Sequence, residues 1–281
     1  MSDRLFTWTQ AVEWLRRQPE KQELVKACYY DDPIEEAALR FYHSQEWQEV
    51  FHILHDYIPC NVLDLGAGRG ISSYAFSREG CTVTALEPDA SPLVGSAAIK
   101  TLSERTSLVI QTVRAHGESL PFKENSFDIV YGRAVLHHTH NLNSLCHNAA
   151  RVLKPGGIFI ATREHVISRL QDLEIFLRSH PLHFLYCGEH AFLLKEYKKA
   201  IKSSGLKLKN VIGPYESVIN YAPTSQQQFK NDIASLLTPY FGSRISKFLL
   251  NIPTILSIMG LYLSLRSTIP GRLYSFVAVK Q

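Results

Sequence analysis

Between residues 61 and 163 the chain alternates short apolar runs with stretches of helical spacing, and this rhythm limits the fold more than anything else in the sequence. "NVLDLG" reads as a buried strand, "RGISSYAFSREG" as a helix stopping at Gly80, and "TVTALEP" as a second strand. "PLVGSAAIKTLSERT" is helical, part of "SLVIQTVRA" is a third strand, and 127–131 within "SFDIVYGRAVLHH" is a fourth. "NLNSLCHNAARVLKPGG" is a helix with a firm stop, and "IFIATR" is the fifth strand. Apolar strands separated by helices belong to βαβ units on a parallel sheet. Right-handed crossovers then set helices on both faces.

The flanks complete this plan. Residues 1–56 read as a helical lid: Val12, Trp14 and Leu15 fall at helix spacing, and Asp32 followed by Pro33 is an N-cap with proline at the first helical position. The core spans 57–215 and closes with the amphipathic helix of "AFLLKEYKKAIKSSG" and the strand of "LKLKNVIGPY". Residues 216–271 are too long for an ordinary connection and are read as an inserted helical cap. The segment 272–281 then supplies the last strand of the sheet. The expected fold is α/β, a Rossmann-like, mostly parallel seven-stranded sheet with helices on both faces.

Within the cap, 248–265 carries no charge but is interrupted by Asn251, Pro253 and Gly260. One reading buries it against the cap or in the seam of a homodimer. A second makes it a surface that meets lipid, and a third makes it a membrane span, since its length is near the lower limit for one. With 45% apolar and 20% charged residues over 281, the chain can bury a core without staples. A net charge of +4 with no dense basic block gives no reason to expect a nucleic-acid partner; Lys195, Lys198, Lys199 and Lys202 read as a solvated helix face. Five scattered cysteines and an N-terminus without signal-peptide order point to a reducing, cytoplasmic setting, peripheral to a membrane on the lipid reading.

The first strand runs into "LDLGAGRG", where Gly66, Gly68 and Gly70 make GxGxG. A dinucleotide turn reads GxGxxG and offers a helix N-terminus to a pyrophosphate. Here Asp64 stands at the strand end, poor company for a diphosphate and well suited to a cation. Glu87, at the end of the second strand, is placed to accept both hydroxyls of a ribose. Together these residues describe a nucleoside pocket at the carboxyl edge of the sheet, with no phosphate required.

These residues resemble the class I S-adenosylmethionine-dependent methyltransferases, in the broad small-molecule group that includes the ubiquinone and menaquinone C-methylases. "VLDLGAGRG" is similar to the first family motif, "ALEPD" to the acidic second, and "ESLPFKENSFDIVYGRAVLHH" and "ARVLKPGG" to two later ones, over about 60–163. The resemblance implies S-adenosylmethionine as cofactor and S-adenosylhomocysteine as product. It places Asp64, Gly66, Ala67 and Gly68 at the methionine portion, Glu87 at the ribose, Pro88 on the adenine, and Gly117 and Glu118 along the adenine edge. Arg133 falls beside the methionine ammonium, with His138 just past it. His116 stands where the family usually carries an aspartate for the adenine amine. A neutral imidazole can accept that hydrogen bond and a charged one cannot, so the expectation is weaker or pH-sensitive cofactor affinity, or a replacement partner such as Glu118. A non-catalytic S-adenosylmethionine-binding protein is the alternative that this departure keeps open.

For chemistry, "HHTH" offers His137, His138 and His140, and "REH" adds Glu164 and His165 at the same edge. His138, His165 and His140 are the candidate general bases. A metal ion would need three or four convergent ligands, and none is assigned. Arg163, His183, Tyr186, Glu189 and His190 crowd the stretch after the fifth strand and are expected at the acceptor. Of the N-terminal aromatic residues, Tyr30 is expected beside the cofactor and Tyr42 beside the acceptor, as a lid that excludes water. The expected reaction is methyl transfer to an oxygen, ahead of nitrogen or carbon, of a small natural product or metabolite. The apolar cap permits a lipidic or prenylated acceptor as the alternative.

Overall fold

A computed structural model describes residues 6–281. The chain enters through four helices, α1 (Trp8–Arg16), α2 (Gln22–Ala27), α3 (Ile34–Tyr42) and α4 (Gln45–Leu54). Thr7 caps α1 in a reciprocal box with Gln10, and the Ser44 hydroxyl accepts from the Trp47 amide to open α4. The βαβ region follows: β1 (Asn61–Leu65), α5 (Ile71–Arg78), β2 (Thr82–Leu86), α6 (Ser96–Thr106), β3 (Ile110–Val113), β4 (Phe127–Arg133), α7 (Leu142–Val152) and β5 (Leu153–Ile167). Next come α8 (Asp172–Ser179), α9 (His183–Tyr186), β6 (Phe192–Leu193), α10 (Leu194–Ser203) and β7 (Leu206–Ile212). The cap holds α11 (Val218–Tyr221), α12 (Gln226–Phe241), α13 (Ser243–Leu250) and α14 (Pro253–Arg266), and β8 (Arg272–Lys280) ends the chain.

The main sheet runs β3-β2-β1-β4-β5-β8-β7, with the two-residue β6 added beside β5. The strands from β1 to β5 pair in parallel, and β8 inserts antiparallel between β5 and β7. The α/β expectation holds, with β6 as an eighth strand. The chain reverses its direction of travel across the sheet between β1 and β4, and there the carboxyl ends of the strands open a crevice, the place where ligands bind in such sheets.

β5 is longer than "IFIATR" implied. Its register against β8 shifts between Ala161 and Glu164, where Arg163 adopts a left-handed φ of 61°. This bulge carries the strand on to Ile167 and leaves the Glu164 side chain fully buried.

Both faces of the sheet are covered. On one, Leu145, Ala149 and Tyr197 from α7 and α10 pack on Leu63, Val130, Phe159 and Phe276. On the other, Trp47, Val50 and Leu54 of α4 join Phe76 against Val62, Tyr131 and Ile160. So α4, expected as part of a lid, is a core helix; Trp47 is 2% exposed. The cap has a small core of its own around Phe229, Ile233 and Leu250. It is fastened to the loop after β7 through small residues on α14: a Cβ at Gly260 would clash with the Tyr215 carbonyl oxygen, and the Ser264 hydroxyl accepts from the Tyr215 amide.

The uncharged stretch 248–265 is only partly buried within the chain: Leu250 and Ser264 are covered, but much of its apolar surface is not. Phe248 is 67% exposed, Ile258 60% and Leu265 76%. α14 is apolar around most of its circumference, and only the face carrying Gly260 and Ser264 has a partner. Among the described residues no single helix is long and apolar enough to cross a membrane, and α13 and α14 meet at 95°.

Candidate cofactor and acceptor site

The glycine turn is built for close approach. Gly66, Gly68 and Gly70 have φ of 57°, 55° and 82°, a region that side chains rarely adopt. A Cβ at Gly66 would come within 2.8 Å of Val135 Cγ2, so the turn after β1 lies directly against the turn after β4. The Gly68 amide donates to Glu87 Oε2 at 2.7 Å, and the Asp89 amide donates to the other oxygen at 2.9 Å. Asp64 is 1% exposed and accepts from the Ser73 hydroxyl at 2.6 Å. Burial raises its carboxyl to about 7; the Ser73 bond opposes this and the charge of Glu87 adds to it. Burial also raises Glu87, against the two amides that hold it. Two carboxylates therefore face one crevice beside an open backbone, and each is costly to ionise until a cation or hydrogen-bond donors arrive. By charge and hydrogen-bonding capacity this pair suits a nucleoside with a diol and an ammonium better than a dinucleotide pyrophosphate.

The N-terminal segment is tied to the same edge by ions. Arg69, inside the glycine turn, is 5% exposed and donates to the carbonyls of Tyr29 at 2.9 Å and Asp31 at 2.8 Å. Arg133 makes a two-pronged bond to Glu46 of α4, at 2.6 and 3.0 Å, with Tyr29 and Phe41 rings over its guanidinium. Arg163 lies 3.9 Å from the same carboxylate and donates to the Ile219 carbonyl, so the first α4 turn, the sheet edge and the cap meet there. Against burial, Arg133 and Arg163 hold Glu46 below the usual carboxylate range.

The third group lies past β4 and β5. Glu164 accepts from the backbone amides of Val135, Leu136 and His137 and from the His137 ring at 2.7 Å. A carboxylate can only accept, so His137 Nδ1 carries the proton and Nε2 presents a lone pair. Burial pushes His137 well below its ordinary value and His165 down to about 3. Glu189 accepts from the Tyr186 hydroxyl, and its other oxygen stands 3.8 Å from His137 Nε2.

The residues expected from sequence fall into three sets. Asp64, Gly66, Ala67, Gly68 and Glu87 meet at the crevice, with half-buried Pro88 next to them. His116 is exposed; Gly117 packs on Leu145. Glu118 is not a free replacement for the absent aspartate: its carboxylate accepts from the Thr139 hydroxyl and the His140 amide. Burial raises it, and these bonds outweigh that and hold it low.

His138 is exposed with Nδ1 on the Gly188 carbonyl, His140 is exposed, and His165 is half-buried with Nδ1 on the Gly271 carbonyl. Tyr30 packs with Trp8 and Tyr186 in a cluster joining α1 to α9. His183 is half-buried, and His190 packs at a tilt against Phe192. Tyr42, expected at the acceptor, instead packs on Arg78 and Tyr74, at the opposite end of α5 from the glycine turn. Ser73, Arg69, Glu46 and the pairing of His137 with Glu164 went unassigned in sequence. Only the proximity of "HH" and "REH" to strand ends hinted at the last.

The comparisons agree with this geometry. Residues 63–161 match a family model described as a methyltransferase domain. The ubiquinone biosynthesis O-methyltransferase of Agrobacterium fabrum is 27% identical over 162 residues, 56% of this chain and 64% of that protein. The chain thus spans just under two thirds of the length of that curated relative. A putative sarcosine dimethylglycine methyltransferase from Galdieria sulphuraria has a TM-score of 0.57 at 18% identity, covering 90% of each chain. The geranyl diphosphate C-methyltransferase of Streptomyces coelicolor, solved with Mg2+, geranyl diphosphate and S-adenosyl-L-homocysteine, has a TM-score of 0.56 at 13% identity, covering 89% of this chain and 85% of that one. Fold and crevice are similar to those of the class I S-adenosylmethionine-dependent methyltransferases. More particularly, the stretch that matches the methyltransferase domain model, 63–161, includes the glycine turn and both acids.

Proposed function

We propose that this chain transfers a methyl group from S-adenosylmethionine to an oxygen of a small-molecule acceptor. The observation that carries the reading is the buried pair Asp64 and Glu87, facing one crevice across the Gly66–Gly68 turn. The cofactor supplies an activated methyl group. Asp64 receives its ammonium, Glu87 its ribose hydroxyls, and the glycines leave room for its backbone-facing side. Transfer then needs alignment and a place for the acceptor's proton. His138 is the base: Nδ1 donates to the Gly188 carbonyl, which leaves Nε2 to take the proton from the acceptor hydroxyl. Oxygen is further supported by the O-methyltransferase relative. Calorimetry with S-adenosylhomocysteine and transfer of labelled methyl to a panel of phenols and alcohols test this. His138→Ala should lower kcat by about a hundredfold or more with cofactor affinity kept. Absence of S-adenosylhomocysteine binding would end the reading.

A second reading concerns the acceptor. The exposed apolar side chains Phe248, Ile258, Leu261 and Leu265 form a face with the exposed cations Arg244, Lys247 and Arg266 around it. This favours contact with an anionic membrane surface, and with it a lipidic or prenylated acceptor. Co-sedimentation with phosphatidylglycerol vesicles should be salt-sensitive and lost in Leu265→Glu. A stable dimer that ignores vesicles would refute it.

A further inference from the structure

Three hydrogen-bond acceptors converge past the ends of β4 and β5, on His137, His165 and Glu189, with His180 Nδ1 3.8 Å from the outer Glu189 oxygen. Glu164 accepts a hydrogen bond from His137 Nδ1 at 2.7 Å, and the Gly271 carbonyl accepts one from His165 Nδ1 at 2.7 Å. Each ring therefore turns a bare Nε2 inward. The Tyr186 hydroxyl fixes one oxygen of Glu189, and the other oxygen stands 3.8 Å from His137 Nε2. One ligand atom from each of the three residues lies within 4.8 Å of the others. His137 and Glu189 are 1% and 7% exposed. Buried lone pairs that face one another are unfavourable unless a cation sits among them.

We propose that His137, His165 and Glu189 form a site for a divalent transition-metal ion of the zinc type. Two imidazoles and a carboxylate are a known ligand set for such ions, and nitrogen donors favour them over magnesium or calcium. The outer contacts are those expected of metal ligands: a carboxylate and a carbonyl hold the far ring nitrogens, and a phenol holds the far carboxylate oxygen. Tetrahedral ligation with bonds of about 2.1 Å puts ligand atoms about 3.4 Å apart, so the site closes around the ion chiefly by movement of Glu189 on the loop after α9. Three protein ligands leave a fourth position for water or, on the methyl-transfer reading, for the acceptor oxygen.

Untagged full-length protein, stripped by chelator, is titrated with cobalt(II) and then zinc. The expected result is one equivalent of cobalt with a visible absorption band that zinc abolishes. His165→Ala and Glu189→Gln should each weaken binding more than tenfold, and Glu164→Gln, which positions His137, about 10–100-fold. Circular dichroism checks folding; should His165→Ala not fold, the isosteric Glu189→Gln carries the test. The proposal is overturned if millimolar cobalt and zinc give no band and no heat, or if both ligand variants bind as the parent does. It is also overturned if nitrogen-15 NMR of His137 in the presence of zinc shows an imidazolium bridging Glu164 and Glu189. The readout is metal binding, so failure here with S-adenosylhomocysteine binding intact leaves the methyl-transfer reading standing.

Discussion

Asp64→Asn should stabilise the ligand-free protein while weakening its hold on the cofactor. Burial lifts the Asp64 carboxyl from 3.8 to about 7 in the folded chain. At 1.36 kcal/mol per unit, ionising it at pH 8 costs the fold up to about 4 kcal/mol relative to a neutral side chain. The sign follows from proton linkage. Between pH 3.8 and about 7 the folded chain keeps a proton that the unfolded chain has lost, so stability falls as pH rises across that window and is flat above it. An amide carries no such cost. With part of the gain lost to the weaker bond with Ser73, about 2–4 kcal/mol remains, or about 4–8 °C in Tm for a chain of this size. The advantage of Asp64→Asn should shrink as the pH is lowered from 8 to 5. Binding runs the other way: the variant loses the charge paired with the cofactor's ammonium, about 1.5–3 kcal/mol, or roughly 10–100-fold in Kd. In the parent, affinity for S-adenosylhomocysteine should rise about tenfold per pH unit up to about 7 and then level, with proton release on binding below that point. Differential scanning fluorimetry and calorimetry in buffers of different ionisation heat give both quantities. A variant that melts below the parent at pH 8 and binds the cofactor product equally well would refute the account of Asp64.

Gly66→Ala should cost about 1–3 kcal/mol in denaturant unfolding, because φ is 57° and the new methyl would press on Val135; cofactor-product affinity should fall with it. Glu46→Gln leaves the half-buried Arg133 without its countercharge and should cost about 1.5–3 kcal/mol in urea unfolding. Replacing both Glu46 and Arg133 by methionine should recover much of that loss, and a double variant no better than Glu46→Gln would argue against the pair. Glu87→Gln should weaken S-adenosylhomocysteine by about tenfold in calorimetry while adenine alone binds as before, since the ribose is what the carboxylate holds.

The cofactor half of the site was legible because its parts lie close along the chain. A strand, a glycine turn and an acid at the next strand end are local patterns, and parallel pairing of β1 with β2 brings Asp64 and Glu87 to one edge. The acceptor half was less so. Tyr42 and Tyr30 were chosen as aromatic residues of the right region, yet helix periodicity does not say which neighbour a ring will meet. The cluster of His137, Glu164, His165 and Glu189 draws on three segments, and its geometry depends on the bulge at Arg163, which has no sequence mark of its own.

By itself, then, the sequence determined the α/β order of β1 to β5, the tight turn at Gly66, Gly68 and Gly70, and the placing of two acids at one sheet edge, since these follow from apolar periodicity and from what glycine can do. Only the tertiary structure decided that β8 slots between β5 and β7, that α4 is core and not lid, that Glu46 neutralises Arg133, and that α14 turns its apolar side outward. The reason is range. Local patterns record which face of an element is apolar, whereas the partner of that face is set by packing between residues far apart in the chain.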